Sequence, residues 1–304
     1  MSGAVSGKGF LAAFFAYFMW GLLPLYWKLL ISVNSLHILG FRILLSLVLV
    51  GIPLALQKKT AWLSVFGKRQ TSGLMILTAL LLCCNWGIYI WAVNSGYTLE
   101  VSLGYYINPL VSIVLGLIFF RERLRPLQWV AVAIAFAGVL ILTVLSGTVP
   151  VISLSLALTF GFYGLLKKKF SLSALESLGA ETLASAPVGI VLLCLSFGQT
   201  TTFGGFQSLA YLGGLAPQTL TLLAVSGLLT ALPLYFFAHG AKLLPLSALG
   251  FTQFISPTLN FVVGLFVFRE NFPLHNFVAF GFIWTAAIIY IISLRLESGK
   301  KGNN

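Results

Sequence analysis

Residues Ser102–Pro126 read SLGYYINPLVSIVLGLIFFRERLRP, and a related stretch returns in the second half of the chain. Residues Pro257–Glu270 align without gaps on Pro109–Glu122. Seven of the fourteen positions are identical, including the proline, a glycine and the Arg-Glu pair. In both copies the proline lies near the middle of an apolar segment of membrane-spanning length. Such proline-interrupted segments, at corresponding places in two halves, are typical of the central binding site of a transporter.

The repeat extends beyond this stretch to both sides. Upstream it continues after a two-residue shift, and the first parts of the halves also match. The matched positions are Leu103-Gly104 with Leu249-Gly250, Ala92 with Ala238, Tyr89 with Tyr235, Gly21 with Gly161, Lys28 with Lys168, and Gly40 with Gly179. The sequence therefore predicts an internal duplication, with residues 1–148 as the first repeat and 149–304 as the second.

The composition favours a chain that lies in a membrane. Hydrophobic residues make up 59% of it and charged residues only 8%, whereas soluble proteins carry about 25% charge. The formal net charge is +12, but the basic residues occur in short clusters between apolar runs, which indicates membrane orientation rather than nucleic-acid binding. The cysteines, Cys83, Cys84 and Cys194, lie inside apolar runs and have neither disulfide nor metal-site spacing. No metal or cofactor is predicted.

Ten apolar segments are long enough to be transmembrane helices, so the predicted fold is all-α. The first is kept as a helix because it is longer than the apolar region of a signal peptide. The uncharged run Pro126–Leu166 exceeds one span of about 20 residues, and Ser146–Pro150 divides it. The other predicted spans are Phe10–Trp27, Leu36–Leu56, Gly73–Val93, Val101–Phe120, Ala174–Phe197, Gln218–Ala241, Pro245–Phe268 and Pro273–Leu294.

The basic residues predict which side each loop faces. With a cytoplasmic N-terminus, 15 basic residues fall on the inner side and only Lys28 and Arg269 on the outer side, with Arg42 inside a helix. This bias places both termini in the cytoplasm. Five helices per half is an odd number, so the second repeat is predicted to cross the membrane inverted relative to the first.

Several motifs in the first half resemble one family. They are Asn85-Trp86, Tyr89–Asn94, Glu100–Leu110, Arg121–Leu124 and Gln128-Trp129, and they look like the RarD-type branch of the EamA family, in the drug/metabolite transporter superfamily. The resemblance implies a ten-helix carrier of the bacterial inner membrane, and it favours export. Some relatives have glycine next to the Arg-Glu pair, where this chain has Phe120 and Phe268.

Polar and aromatic residues around the two prolines are the candidate substrate-binding residues. A proline inside a helix leaves a backbone carbonyl without its donor, and in lipid that group needs a partner or a wet cavity. Aromatic walls with a few amides suit an amphipathic or cationic organic molecule. The alternative is that the prolines are packing kinks and the amides join helices. The candidates are Asn85, Trp86, Tyr89, Tyr105, Asn108, Pro109, Gln253, Ser256, Pro257 and Asn260.

Charged residues inside the helices are candidates for gating or coupling. Arg42 and Glu181 occupy equivalent repeat positions with opposite signs, but they enter from opposite faces and are predicted too far apart in depth to touch. We expect two gates instead, Arg42 with Glu100 and Glu181 with Lys242. The alternative is that each charge extends to its own interface. His239, close in depth to Glu181, could relay protons with it or could be structural.

Three classes of protein remain as alternatives, and they differ in the residues they require and in whether they carry a flux. A secondary or facilitative transporter, working by alternating access to a central cavity, fits the repeats, and the sequence has no phosphate-binding loop for direct ATP coupling. An intramembrane enzyme would need a catalytic group beyond Glu181 and His239. A scaffold or regulatory protein would show no flux. The predicted partners are a small-molecule substrate, lipid and, as a coupling candidate, protons, with monomer and homodimer both open.

Overall fold

The computed structural model describes residues 6–30, 33–94, 97–146, 151–194, 215–269 and 274–301. Within these ranges the regular structure is helical. Ten segments are long and apolar enough to cross a membrane, which confirms the predicted class and number of spans. The helices are α1 (Gly7–Trp27), α2 (Ser35–Leu56), α3 (Arg69–Asn94), α4 (Thr98–Phe119), α5 (Pro126–Ser146), α6 (Val151–Lys169), α7 (Ala174–Cys194), α8 (Pro217–Leu243), α9 (Leu246–Gln253), α10 (Ile255–Phe266) and α11 (Leu274–Lys301).

Local sequence signals account for several helix starts. The hydroxyl of Ser6 accepts from the N–H of Gly9 at 3.4 Å, and Asn34 Oδ1 accepts from Leu36 at 2.9 Å. Ser173 and Glu176 form a reciprocal capping box at α7. Each of these side chains satisfies a backbone donor that a helix start leaves free. Residues 147–150 of the predicted division at Ser146–Pro150 and most of the polar loop after α7 lie outside the described residues.

The most extensive helix contacts join the two halves of the chain rather than helices within one half. They pair α4 with α6, α5 with α11, α2 with α7, α1 with α8, α2 with α8, and α4 with α9. The repeat matches α1, α2 and α3 with α6, α7 and α8. The contact of α3 with α6 therefore corresponds to that of α8 with α1, and the contact of α3 with α7 corresponds to that of α8 with α2. The repeats are therefore interleaved, and each supplies the packing surface of the other.

Glycines matched by the repeat make reciprocal close contacts. A β-carbon on Gly21 would lie 2.6 Å from Leu259 Cβ, and one on Gly161 would lie 2.7 Å from Val111 Cγ1. Leu259 and Val111 are themselves aligned in the repeat. Glycine thus allows the same close helix approach in both halves, as in other membrane bundles. The second reciprocal set is Gly40 with Leu193 and Gly179 with Leu54.

The two proline-containing spans differ, in part against prediction. The fourth span, α4, runs without interruption through Pro109, so the predicted break there is wrong. The ninth span consists of α9 and α10 and is broken between them at Phe254. The N–H of Phe254 donates to the carbonyl of Phe251 at 3.3 Å. This tight turn relieves the clash between the Pro257 ring and the carbonyl four residues earlier. The two spans cross where a β-carbon on Gly250 would lie 2.8 Å from the carbonyl oxygen of Pro109.

Both proline-containing spans end in the same way. Arg121 and Arg269 have φ of 52° and 54°, the left-handed conformation that ends many helices but is unusual without glycine. The preceding phenylalanines carry reciprocal lysine contacts. Lys168 Nζ lies 5.2 Å from the Phe120 ring centroid, and Lys28 Nζ lies 4.1 Å from that of Phe268. Each of these phenylalanines therefore contacts a lysine of the other half.

Candidate functional site

A small cavity lies between α2, α3, α7 and α8. Its volume is about 10 Å³, close to the smallest space that holds one water molecule. Glu181 and Trp86 contribute to its wall, together with Thr230. The bundle is therefore closed around this cavity in the conformation described. The other lining residues are Ile43, Ser46, Ala79, Leu82, Cys83, Thr182, Ser185 and Leu234.

Arg42 reaches this cavity through two of its contacts. Its Nε donates to Thr230 Oγ1 at 2.8 Å. Its guanidinium carbon lies 4.6 Å from the Trp27 ring centroid and 4.7 Å from that of Trp86. Such cation–π contacts stabilise a cation by about 0.5–2 kcal/mol, and a charge at a helix centre costs about 2.5–3.5 kcal/mol on insertion scales. The two ring contacts and the charged hydrogen bond to Thr230 together therefore offset most of the cost of placing the charge there.

Three tyrosines lie in the neighbourhood of the same guanidinium. Tyr26, Tyr89 and Tyr105 lie within electrostatic range of Arg42. The rings of Tyr89 and Tyr105 are tilted against each other with centroids 6.1 Å apart, and Tyr26 donates its hydroxyl to the carbonyl of Leu222 on α8. Of the predicted binding residues, the structure thus brings Trp86, Tyr89 and Tyr105 together around Arg42.

Glu181 is held in a different way. It is buried, and its carboxylate forms an ion pair with Lys167, which is completely buried. The hydroxyl of Tyr163 donates to Glu181 Oε1 at 3.2 Å, and Lys167 Nζ also donates to the carbonyl of Ser177 at 3.3 Å. Every charge in this group has a counter-ion and a hydrogen bond, which is the condition for tolerating a buried pair.

Both predicted gate pairings are wrong in this conformation, because other groups take their places. Arg42 has aromatic and hydroxyl partners, while Glu100 accepts from the N–H of Ile152 at 3.3 Å and so caps α6. Glu181 pairs with Lys167, and not with the half-buried Lys242. That Arg42 and Glu181 have separate partners agrees with their expected difference in depth.

The predicted relay between His239 and Glu181 is not formed by the contacts described. His239 is half-buried and stacks on Tyr235, one turn earlier on α8, with ring centroids 6.4 Å apart. Thr230 and Leu234 are the α8 residues that line the cavity with Glu181. The stacking on Tyr235 favours the structural interpretation of this histidine.

The remaining predicted residues lie at helix contacts outside the cavity. Asn85 Nδ2 donates to the Leu156 carbonyl and to Thr159 Oγ1, both at 2.9 Å, and so joins α3 to α6. Gln253 accepts from Ser112 at 3.5 Å near the crossing of α4 and α9. Pro109, Ser256 and Pro257 are buried in the same region. The buried Oδ1 atoms of Asn108 and Asn260 have no hydrogen-bond partner among the described residues.

Comparison with known proteins places the chain in a family. Residues 7–144 match the profile of the EamA-like transporter family. The uncharacterized transporter YojE of Bacillus subtilis (strain 168) is 42% identical over 297 residues, which cover 96% of each chain. The chain belongs to the EamA-like transporter family. It is a multi-pass membrane transporter by that membership, and the predicted RarD-type resemblance is confirmed.

Other relatives of this EamA-like protein carry the RarD name. Protein RarD of Streptomyces exfoliatus is 42% identical, over 92% of this chain and 87% of that one. Protein RarD of Escherichia coli (strain K12) is 37% identical, over 94% of each. One solved crystal structure superposes with a TM-score of 0.71 on 94% of this chain and 98% of its own, at 18% identity, so the two share a fold.

Some important residues of this EamA-like transporter were not among the predicted site residues. Lys167 belongs to the run Lys167–Lys169, which resembles a solvated basic loop, yet it is completely buried. The sequence could have indicated this burial, because Tyr163 lies four residues before Lys167 and residues four apart share a helix face.

Glu122 also has a role that the sequence did not predict, because in the sequence it resembles one half of a local ion pair with an adjacent arginine. Its carboxylate instead accepts from the N–H groups of Leu246 and Ser247 at 2.5 and 2.9 Å and caps α9.

A second, larger cavity in the EamA-like bundle is apolar. It has a volume of about 360 Å³ and lies between α1, the broken ninth span and α11. Its rim includes the exposed side chains of Phe18, Trp284 and Ile291. None of the predicted binding residues lines it. Its position is consistent with a surface that contacts lipid.

Proposed function

We propose that the protein is a secondary transporter that exports small amphipathic organic molecules by alternating access to the cavity between its repeats. The observation that carries the proposal is the cavity itself. It is polar on one side, contains Glu181 and Trp86, and is closed by helices from both halves. A site enclosed in this way exchanges substrate only if the halves rearrange, first toward one side and then toward the other.

The proposed orientation has both termini in the cytoplasm and the repeats inverted. The distribution of basic residues, 15 on the inner side against two on the outer side, supports the first part. The reciprocal glycine contacts support a two-fold relation between the halves. A C-terminal alkaline phosphatase fusion should then be inactive, and a C-terminal fluorescent protein should fluoresce. The reverse result would contradict this orientation.

Two sets of groups are proposed to act during transport. Glu181 lines the cavity and pairs with Lys167, so we assign it the coupling role, with protons as the candidate ion. Asn108, next to the crossing of α4 with the ninth span, and Asn260, farther along α10, carry buried oxygens without partners among the described residues. Because an unpaired buried acceptor costs about 1–3 kcal/mol, a substrate N–H or O–H group that reached them in an open conformation would be bound favourably.

The test is flux through the purified protein in proteoliposomes. Radiolabelled or fluorescent candidate molecules are offered with and without an imposed pH gradient, and protein-free liposomes are the control. Saturable flux of a chemically unchanged molecule supports the proposal, and a chemically altered product would indicate an enzyme. A folded protein that moves none of the candidates would favour the scaffold alternative. For the coupling role, Glu181→Gln combined with Lys167→Met should retain the fold and lose any response to the pH gradient.

A further inference from the structure

We propose that the transported molecule carries a carboxylate or another oxyanion on a small aromatic or apolar body, and that Arg42 binds its anionic group. This inference rests on the proposed transport function and adds the chemical class of the substrate. It assigns a binding role to a residue that was predicted only as part of a gate.

The first argument is that Arg42 has hydrogen-bond donors to spare. Its Nε–H donates to Thr230, and the N–H groups on its terminal nitrogens have no acceptor among the described residues. The residue is half-buried, and its contacts with Thr230 and Trp86 place the guanidinium next to two residues of the cavity wall. A guanidinium presents its donors as a planar fork that matches the two oxygens of a carboxylate or phosphate.

The second argument is that the chain does not supply a counter-ion in the part described. Glu181 and Glu122 form ion pairs with Lys167 and Lys168, Glu100 caps α6 and Glu176 caps α7. An ionisable residue within a membrane usually has a partner or marks a substrate path. The side chains of Glu270 and Glu297 lie outside the described part of the chain. With the four described glutamates engaged elsewhere, we assign the partner of Arg42 to a molecule from outside the protein.

The third argument decides between an anion and a cation. Aromatic walls alone would suit a cationic substrate. Here the faces of Trp27 and Trp86 are already occupied by the guanidinium of the protein, at 4.6 and 4.7 Å. A cationic ligand at the same rings would be repelled by Arg42, whereas an anion would be attracted and would still contact the rings with its apolar part.

The surroundings also indicate a molecule with an organic body. Tyr89 and Tyr105, whose tilted rings have centroids 6.1 Å apart, lie within electrostatic range of the guanidinium. Trp86 also forms part of the wall of the central cavity. A simple inorganic anion would use the donors but leave these rings without a contact. The cavity volume of about 10 Å³ means that the molecule binds when the halves have opened.

The experiment compares matched probes that differ only in charge. Purified protein is heated in detergent with phenylacetate, phenylacetamide or phenethylamine, and with a panel of aliphatic and aromatic carboxylates, phosphates and sulfonates, each with its amide or amine. Acetate and inorganic phosphate test the need for an organic body. We expect at least one organic acid to raise the melting temperature by about 2 °C or more at saturation, as ligand linkage requires, and its amide and amine to have no effect.

Variants then assign the effect to the guanidinium. Arg42→Gln should abolish binding of that acid. Arg42→Lys, which keeps the charge but loses the fork, should weaken it about tenfold or more, because charge-assisted bidentate hydrogen bonds are lost. Lys28→Gln is the matched control. It removes the same charge from a lysine that contacts Phe268 rather than the cavity, and it should leave binding unchanged.

Several results would overturn the inference. They are the absence of binding by every acid in the panel, stabilisation by the amines instead, and retention of acid binding in Arg42→Gln. A melting temperature of Arg42→Gln that differs from wild type only in vesicles of phosphatidylglycerol, without acid binding, would show that Arg42 contacts lipid phosphate. Flux of the amines but not of the acids would leave the transport proposal intact while rejecting the anion. Acid binding without flux of any candidate would support the anion site and reject the transport proposal.

Discussion

Equivalent positions in the two halves hold charges in contrasting ways. In the first half Arg42 of α2 contacts Trp27 of α1, and in the second half Glu181 of α7 contacts Lys167 of α6. The repeat match places Trp27 opposite Lys167, as it places Arg42 opposite Glu181. The duplicated fold has therefore kept the contact between the first two helices of each half while the chemistry of both partners changed.

The difference lies in how completely each charge is satisfied. The pair in the second half is buried, has a matching counter-ion and receives a further hydrogen bond from Tyr163. The arginine of the first half is half-buried, its side chain makes one hydrogen bond within the described part of the chain, and it lies over aromatic rings. A satisfied pair contributes to the structure, whereas a charge with free donors is available to a ligand. The comparison suggests that the first half binds and the second half holds the closed form together.

The largest expected effect comes from breaking the buried pair. Lys167→Met should lower the free energy of unfolding by about 3–5 kcal/mol, because it leaves a carboxylate buried without a counter-ion. Combining it with Glu181→Leu should restore most of that loss. Trp27→Leu, at the equivalent place in the first half, should cost less than Lys167→Met. Denaturant titration in detergent measures all of these, and equal costs for the single and double variants would exclude the ion pair as the cause.

The reciprocal glycines should give the next largest effects. Gly21→Ala and Gly161→Ala should each destabilise by about 1–3 kcal/mol, since both crowd a well-packed helix crossing. Gly51→Ala and Gly87→Ala are matched controls, because a β-carbon at either meets nothing within 4 Å. They should be neutral or slightly stabilising. Thermal unfolding reports the difference, and a large cost at only one of Gly21 and Gly161 would contradict the reciprocity.

A smaller effect on stability is expected from removing Glu122, which lies in the first half and caps α9 in the second half. Glu122→Ala should cost about 1 kcal/mol, the usual value for losing a helix cap, because the N–H groups of Leu246 and Ser247 lose their acceptor. Glu122→Gln, which keeps an acceptor oxygen, should cost less. The unfolding free energies of the two variants measure this order, and the reverse order would show that charge rather than capping matters.

The smallest effect on stability is expected at Arg42. Arg42→Met should change the unfolding free energy by less than about 1 kcal/mol. The relief from removing an intramembrane charge, about 2.5–3.5 kcal/mol, is offset by loss of the ring contacts and of the hydrogen bond to Thr230. Transport should nevertheless be lost. A destabilisation as large as that of Lys167→Met would show that Arg42 is structural.

Sequence patterns predicted the helices well because hydropathy and length are one-dimensional signals. The ten spans follow from the apolar runs, and the recurring Pro109 and Pro257 mark the two spans that cross at Gly250. The pattern also gave Trp86, Tyr89 and Tyr105 as candidates. Of these, Trp86 contacts Arg42, and the two tyrosines lie within electrostatic range of it.

The contact partners of the charged side chains could not be predicted in the same way, because they depend on how each helix is rotated and how deep each side chain lies. Equal depth suggested Arg42 with Glu100 and Glu181 with Lys242, but the rotation of α6 turns Lys167 inward and leaves Lys169 exposed. The proline gave the same signal in both repeats, although only the ninth span is broken, at Phe254. Equal motifs therefore indicate equivalent places and not equal conformations.

The interleaving of the halves has a consequence for biosynthesis. Because the most extensive helix contacts join residues of the first half to residues of the second, the first five helices leave the ribosome before their packing partners exist. They must wait in the membrane with glycine-lined faces uncovered until the later helices are inserted. Their assembly is therefore expected to be completed in a late step, after translation has nearly finished.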